Sequence, residues 1–306
     1  MGNPGVSVLN SFPAVDEHAL DELLAKEIAA NPMKIVVLDD DPTGVQTVHD
    51  VSVYTDWSAE SIRAGFAEDN KVFYILTNSR GMTGAETAKT HREIAERTAA
   101  GEVKVLGGIS DKPLLTRRDM IIKETGIGGV VVVGSHTNKT TAQLRELLTL
   151  DCVVPVEFDS NKVLEGDEAF YAEVDRCVAE EEKIIRTGKT AVCYTCRTLL
   201  TLENDTKESA LQRSVKISDG VQSLVGRLHL TPAFVIAKGG ITSSDVGTKA
   251  LAVKRADVMG QIKPGIPVWQ TGDESRFPKT PYVIFPGNTG DETTLREAVA
   301  ILMDRK

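Results

Sequence analysis

A chain of 306 residues is long enough for two domains that each bury a core, and its 41% hydrophobic and 26% charged composition excludes a wholly disordered protein. The formal charge of -9, from 35 Lys and Arg against 44 Asp and Glu, excludes a broad nucleic-acid or anionic-membrane surface but leaves room for a local basic pocket that takes phosphate. The N-terminus lacks a basic region followed by an apolar core, and no stretch reaches the apolar length of a membrane span, so a cytoplasmic protein without membrane or nucleic-acid partners is expected.

In chain order, Leu20, Leu23, Leu24 and Ile28 form a helical stripe over 16–30 that Asn31-Pro32 stops. A β-branched run over 34–38 predicts a buried strand, and further strands are expected at 51–54 and 72–76 with helices at 59–67 and 83–99. From residue 128 the alternation strengthens. Strands are expected at 130–133, 153–156, 190–194, 233–237, near 268 and at 283–285. Helices are expected at 140–148, 168–186, 209–228, after Ser243 and from Asp291. This is the pattern of an α/β protein with mainly parallel sheets flanked by helices. The run Glu180-Glu181-Glu182 reads as a solvated helix face. The four cysteines include one Cys193-x-x-Cys196 pair with no second pair to complete a zinc site, so reduced structural thiols are expected, and no metal-ligand set can be assigned.

Five segments carry candidate chemistry. Asp39-Asp40-Asp41-Pro42-Thr43-Gly44 closes the first strand, where open α/β sheets bind ligands, and three adjacent carboxylates repel unless a metal, hydroxyls or basic groups answer them. A tight turn with solvated acids is the plain structural alternative. Thr77-Asn78-Ser79-Arg80-Gly81 ends the 72–76 strand and lies at the same sheet edge if the two strands are neighbours; Arg80 could clamp a carboxylate or phosphate. Gly134-Ser135-His136-Thr137 opens a helix, which can favour an anion or simply supply an N-cap. Lys238-Gly239-Gly240-Ile241-Thr242-Ser243 has the strand, glycine turn and hydroxyls of a phosphate cradle without the lysine position of a Walker loop, and Pro286-Gly287-Asn288-Thr289-Gly290 repeats that logic before the last helix.

Taken in order, these segments together with Lys112-Pro113-Leu114-Leu115 resemble the motifs of the four-carbon acid sugar kinases. The resemblance implies an N-terminal sugar-acid domain, placed at 1–118, and a C-terminal nucleotide domain, placed at 119–306. It implies phosphorylation of threonate, erythronate or 3-oxo-tetronate at the terminal hydroxyl, with ATP and Mg²⁺; assembly as a homodimer is compatible with it. It places ATP contacts on Ser135, Gly239, Gly240, Ile241, Thr242 and Gly287, and substrate contacts on Asp39, Asp40 and Arg80. The chemistry of the segments themselves adds Asp41, Thr43 and Lys238 as substrate-binding candidates and Asp39 or Asp40 as the catalytic base. Family members carry further strands and an S-R-x-D-S-T-x-R-G-like motif after the position of Ala100, and nothing in this sequence matches that motif. Two alternatives stay open. Asp39-x-Asp41-x-Thr43 also resembles the signature of haloacid-dehalogenase-type phosphatases, with Asp39 as nucleophile, Asp41 as acid/base and Thr77 at a later strand end as their second motif requires. The chain could also be a catalytically inactive nucleotide-binding relative.

Overall fold

The computed structural model describes residues 16–31, 33–46, 48–79, 82–98, 113–198, 200–202 and 205–305. It divides into two units, 1–35 and 36–306. In the first, α1 (Glu17–Ala30) begins where the Asp16 carboxylate accepts the Ala19 N–H at 3.1 Å, as an N-cap does. Its stripe of Leu20, Leu23, Leu24 and Ile28 is exposed.

The second unit begins within β1 (Ile35–Asp39) and continues through β2 (Ser52–Tyr54), α2 (Ala59–Ala67), β3 (Val72–Leu76), α3 (Gly84–Thr98), α4 (Arg117–Met120), β4 (Val130–Val133), α5 (Asn138–Leu147) and β5 (Val153–Phe158). There follow α6 (Asp167–Arg186), β6 (Thr190–Thr195), α7 (Lys207–Gly226), β7 (Val235–Lys238), α8 (Gly240–Asp245), β8 (Arg255–Lys263), β9 (Ile266–Thr271), β10 (Pro281–Phe285) and α9 (Thr294–Leu302). Among the described residues ten strands join one sheet in the order β1-β3-β2-β8-β9-β10-β7-β4-β6-β5. The expected α/β class with mainly parallel strands is what the structure has.

The four valines of β4 explain the layering. Val130 and Val132 face one side and pack with α6 and α7 residues such as Phe170, Val174, Val221 and Val225. Val131 and Val133 face the other and pack with Leu144 of α5 and Leu295 and Val299 of α9. All four are buried, each contributing about 1.5–3 kcal/mol relative to an exposed side chain. A run that is apolar on both faces belongs in a helix-covered parallel sheet.

β8 has no counterpart among the sequence expectations. Its inward residues Ala256, Val258, Gly260 and Ile262 alternate with half-exposed ones, a period-two pattern diluted by Gly260 and by bulges between Val258 and Gly260 and between Gln261 and Lys263. β8 is antiparallel to both β2 and β9, and β9 is antiparallel to β10, while β2–β3 and β10–β7–β4–β6–β5 are parallel. Three reversals separate β2 from β10, so the two parallel blocks run in opposite senses.

The glutamate run needs a correction. Glu181 is fully buried, because it falls in the helical stripe Val174, Cys177, Val178, Glu181, Ile184 and Ile185 that α6 turns toward the sheet. Neither of its carboxylate oxygens meets an N–H or O–H donor among the described residues, only the weak Cys193 thiol stands beside it, and burial holds its pKa well above the usual carboxylate range.

Candidate functional site

The acidic loop is built on the end of β1. β1 and β3 are neighbours, as the shared-edge expectation required: Thr77 donates both its N–H (2.8 Å) and its hydroxyl (2.9 Å) to the Asp39 carbonyl. The Asp39 side chain is buried, and a Cβ at Gly44 would lie 2.1 Å from each of its carboxylate oxygens, so any side chain there would have to displace that carboxylate. The Asp41 carboxylate accepts the Thr43 N–H at 2.8 Å, an Asx turn, and its carbonyl accepts the Gly44 N–H at 3.0 Å. Thus the turn chemistry expected of Asp-Pro-Thr-Gly is present, with Asp40 exposed at its outer corner. Arg80 lies outside the described residues.

The glycine loops are built on β4, β7 and β10, which stand side by side. Gly239 has φ of 116°, a conformation that disfavours any side chain, and its N–H donates to the Phe285 carbonyl at 2.8 Å. Thr242 sits against the end of β4: its hydroxyl lies 2.6 Å from where a Gly134 Cβ would be, while a Gly239 Cβ would come within 3.8 Å of the Ser135 side chain. Inside α8, the Ser243 hydroxyl donates to the Ala237 carbonyl at 2.8 Å and the Tyr282 hydroxyl to the Ser243 carbonyl at 2.5 Å. Ile241 is 68% exposed, an apolar side chain left uncovered beside the loop.

Lys238 is wholly inside. Its ammonium donates to the carbonyls of Pro286 (2.7 Å) and Gly287 (3.0 Å) and stands 4.6 Å from the centre of the Phe285 ring. Loss of hydration, and then the charge of Lys139, lower its pKa to about 8. Its observed partners are therefore backbone carbonyls that join one glycine loop to the other, a strut role that the sequence did not suggest. Two residues that sequence reasoning passed over complete the tie: Lys139 donates to the Asn288 carbonyl at 2.7 Å, and Gln143 to the carbonyls of Thr289 (3.1 Å) and Asp291 (2.7 Å). Beside Gly287, the direction a side chain would take meets nothing within 4 Å, so its backbone is open to a ligand.

The acidic loop reaches the glycine loops. A Cβ at Gly240 would lie 2.5 Å from the nearer Asp41 carboxylate oxygen. Behind this contact is the fully buried Tyr282, whose pKa is pushed well up by burial and further by the charges of Asp245 and Asp41. The chain after Asp41 is anchored in the same core, with Val45 buried in a cluster that includes Val246, Trp269 and Tyr282. An opening of about 810 Å³ lies elsewhere, lined by residues including Ser52, Glu68, Arg255 and Asp257; of the segments singled out from sequence it holds only Pro113, Leu114 and Leu115, and none of the candidate site residues.

An open glycine backbone, flanking hydroxyls and a nearby ammonium suit a nucleotide polyphosphate. Among the described residues no group of three or more His, Cys, Asp or Glu side chains is placed to hold a metal. Mg²⁺ is commonly held by one or two carboxylates together with substrate phosphates and water, and Asp41 is a carboxylate at the glycine loops.

Residues 130–295, more than half of the chain, match the nucleotide-binding C-terminal domain model, and residues 35–107 match the sugar-binding N-terminal domain model. The chain belongs to the four-carbon acid sugar kinase family. Solved structures that align with it include a Salmonella typhimurium LT2 protein at 16% identity and TM-score 0.46, over 79% of this chain and 50% of that one. A Haemophilus influenzae protein of the DUF1537 family aligns at 15% identity and TM-score 0.44, over 80% of this chain and 57% of that one. A DUF1537 protein from Bordetella bronchiseptica, crystallised with citrate as a domain-swapped dimer, aligns at 16% identity and TM-score 0.47, over 89% of this chain and 73% of that one. The chain thus spans about half the length of the first two. No curated protein matches it. Among the described residues no helix is long and apolar enough to cross a membrane.

Proposed function

We propose that the protein transfers the terminal phosphoryl group of ATP to the terminal hydroxyl of a four-carbon sugar acid such as threonate, erythronate or 3-oxo-tetronate, with 1–118 serving the acid and 119–306 the nucleotide. The observation that carries this reading is the approach of Asp41 to Gly240, which joins an acidic loop and a phosphate-type cradle in one site. Phosphoryl transfer asks the protein mainly to position the reactants and to balance charge.

In this reading Ser135, Gly239, Gly240, Thr242 and Gly287 line the polyphosphate, and Ile241 covers an apolar part of the nucleotide. Lys238 holds two of these loops in register through the carbonyls of Pro286 and Gly287. Asp40, or Asp39 beside it, accepts the proton of the attacking hydroxyl as its oxygen bonds to phosphorus and the bond to ADP breaks. Asp41 and Thr43 orient the acid, and Arg80 holds its carboxylate. Mg²⁺, when bound with the nucleotide near the aspartates, offsets phosphate charge.

The phosphatase alternative would need the Thr77 hydroxyl for a phosphate. That hydroxyl is buried and already bonded to the Asp39 carbonyl and to Ser79 at 2.9 Å, so the geometry does not favour it. The kinase reading is tested by ADP release from Mg-ATP with D- and L-threonate, D- and L-erythronate and the 3-oxo acids. Turnover with one of them is expected. Saturable ATP binding with no turnover on any acid would instead identify a nucleotide-binding relative without kinase activity.

A further inference from the structure

β4 and β6 are parallel neighbours with Val133 opposite Tyr194, so the loops that follow them start side by side. Arg197 lies half-buried just beyond the end of β6. One end nitrogen of its guanidinium donates to the Ser135 carbonyl and to the Thr141 hydroxyl at 3.2 Å, and the other to the Thr195 carbonyl at 3.5 Å. A single planar group thereby ties the β4–α5 loop, α5 itself and the end of β6. Its Nε is buried and has no acceptor among the described residues.

The peptide bond makes this tie consequential. Because the unit is planar and trans, fixing the Ser135 carbonyl toward Arg197 turns the His136 N–H in the opposite direction, away from the guanidinium. Burial lowers the Arg197 pKa, yet a guanidinium keeps its charge at any ordinary pH. Next to it, burial first and the Arg197 charge second hold His136 below the usual imidazole range.

We propose that Arg197 is a positioning residue for nucleotide binding, setting the peptide plane after Ser135 so that the β4–α5 loop meets the polyphosphate. This rests on the reading of that loop as part of the nucleotide site. The fork geometry, rather than charge alone, does the positioning, since three acceptors on three segments must be met at once.

Arg197→Lys keeps the charge and loses the fork, whereas Arg197→Met loses both. Both variants are expected to weaken ATP binding, and to raise the KM for ATP, by roughly tenfold, a loss of about one good hydrogen-bond tie. Turnover at saturating ATP should stay within about twofold, and melting temperatures should stay close to the parent's. NMR titration of His136 gives an arm independent of nucleotide: its pKa should rise in Arg197→Met and stay low in Arg197→Lys.

Parent-like ATP affinity in Arg197→Lys, or a fall of kcat and affinity together with a lowered melting temperature, would overturn the proposal and leave Arg197 a packing residue. An unchanged His136 titration in Arg197→Met would also overturn it, by removing the guanidinium from that loop. If the parent protein itself fails to bind ATP, the nucleotide reading falls, and the proposal with it. Normal binding by the parent and both variants removes the proposal alone.

Discussion

The two halves of the candidate site are built on different principles. Around the glycine loops, side chains hold backbone: Lys238, Lys139, Gln143 and Arg197 all donate to carbonyls of the loops. Around the acidic loop, backbone holds side chains: Thr43 N–H fixes the Asp41 carboxylate, and the bare backbone of Gly44 makes room for that of Asp39. Such a division suits a reaction in which one partner is a polyphosphate recognised by many weak donors and the other is a small acid handled by a few charged groups. It also separates what substitutions should do, since damage to the first half should appear in nucleotide affinity and damage to the second in turnover.

The largest expected effect is on the acidic side. Asp40→Asn should lower turnover by about 10²–10⁴-fold, the range of a lost general base, while ATP affinity stays within about threefold; unchanged turnover would remove Asp40 from the chemistry. Next, Gly239→Ala places a side chain at a φ of 116° and should weaken ATP binding by roughly tenfold or more, a backbone strain of about 1–3 kcal/mol, as calorimetry can measure. A smaller and pH-dependent effect is expected at Lys238. With its pKa lowered to about 8, the ammonium is lost as pH rises through that value, so ATP affinity should fall in a step centred there, a step that Lys238→Met should lack.

The smallest effect lies outside the site, at Glu181. Its folded pKa is raised, so the folded state keeps a proton that the unfolded chain gives up in the ordinary carboxylate range. Stability from this group is fully present below that range and is lost as pH rises through and beyond it. Glu181→Met should therefore be more stable than the parent at pH 7, by about 1–3 kcal/mol for removing an unsatisfied buried group, with the gap shrinking toward pH 4 in denaturant melts. No gap at pH 7 would mean that the carboxylate finds partners in solution.

Much of the fold could be read from the chain because its strands are short apolar runs bounded by turn residues, and 130–133 is the plainest case. β8 escaped because half of its residues are polar and a glycine interrupts its apolar face. Glu181 escaped because three adjacent glutamates look uniformly solvated until the stripe from Val174 to Ile185 is counted through them. The glycine loops were legible as strand, turn and helix. Their struts were not: Lys238 looked like a ligand group, and Arg197, 62 residues from Ser135, gave no local signal. Least legible was the meeting of Asp41 with Gly240. The two parallel blocks run in opposite senses, and contact depends on the anchored segment around Val45, which no local pattern predicts.

That meeting is the claim to test first. Gly240→Ala alone should reduce ATP affinity, because its Cβ would collide with Asp41. In the Asp41→Ala background the collision is gone, so the same change should cost at least about 1 kcal/mol less, as contacting residues in a double-mutant cycle do. Costs that simply add, within about 0.5 kcal/mol, would mean that the acidic and glycine loops do not share a site.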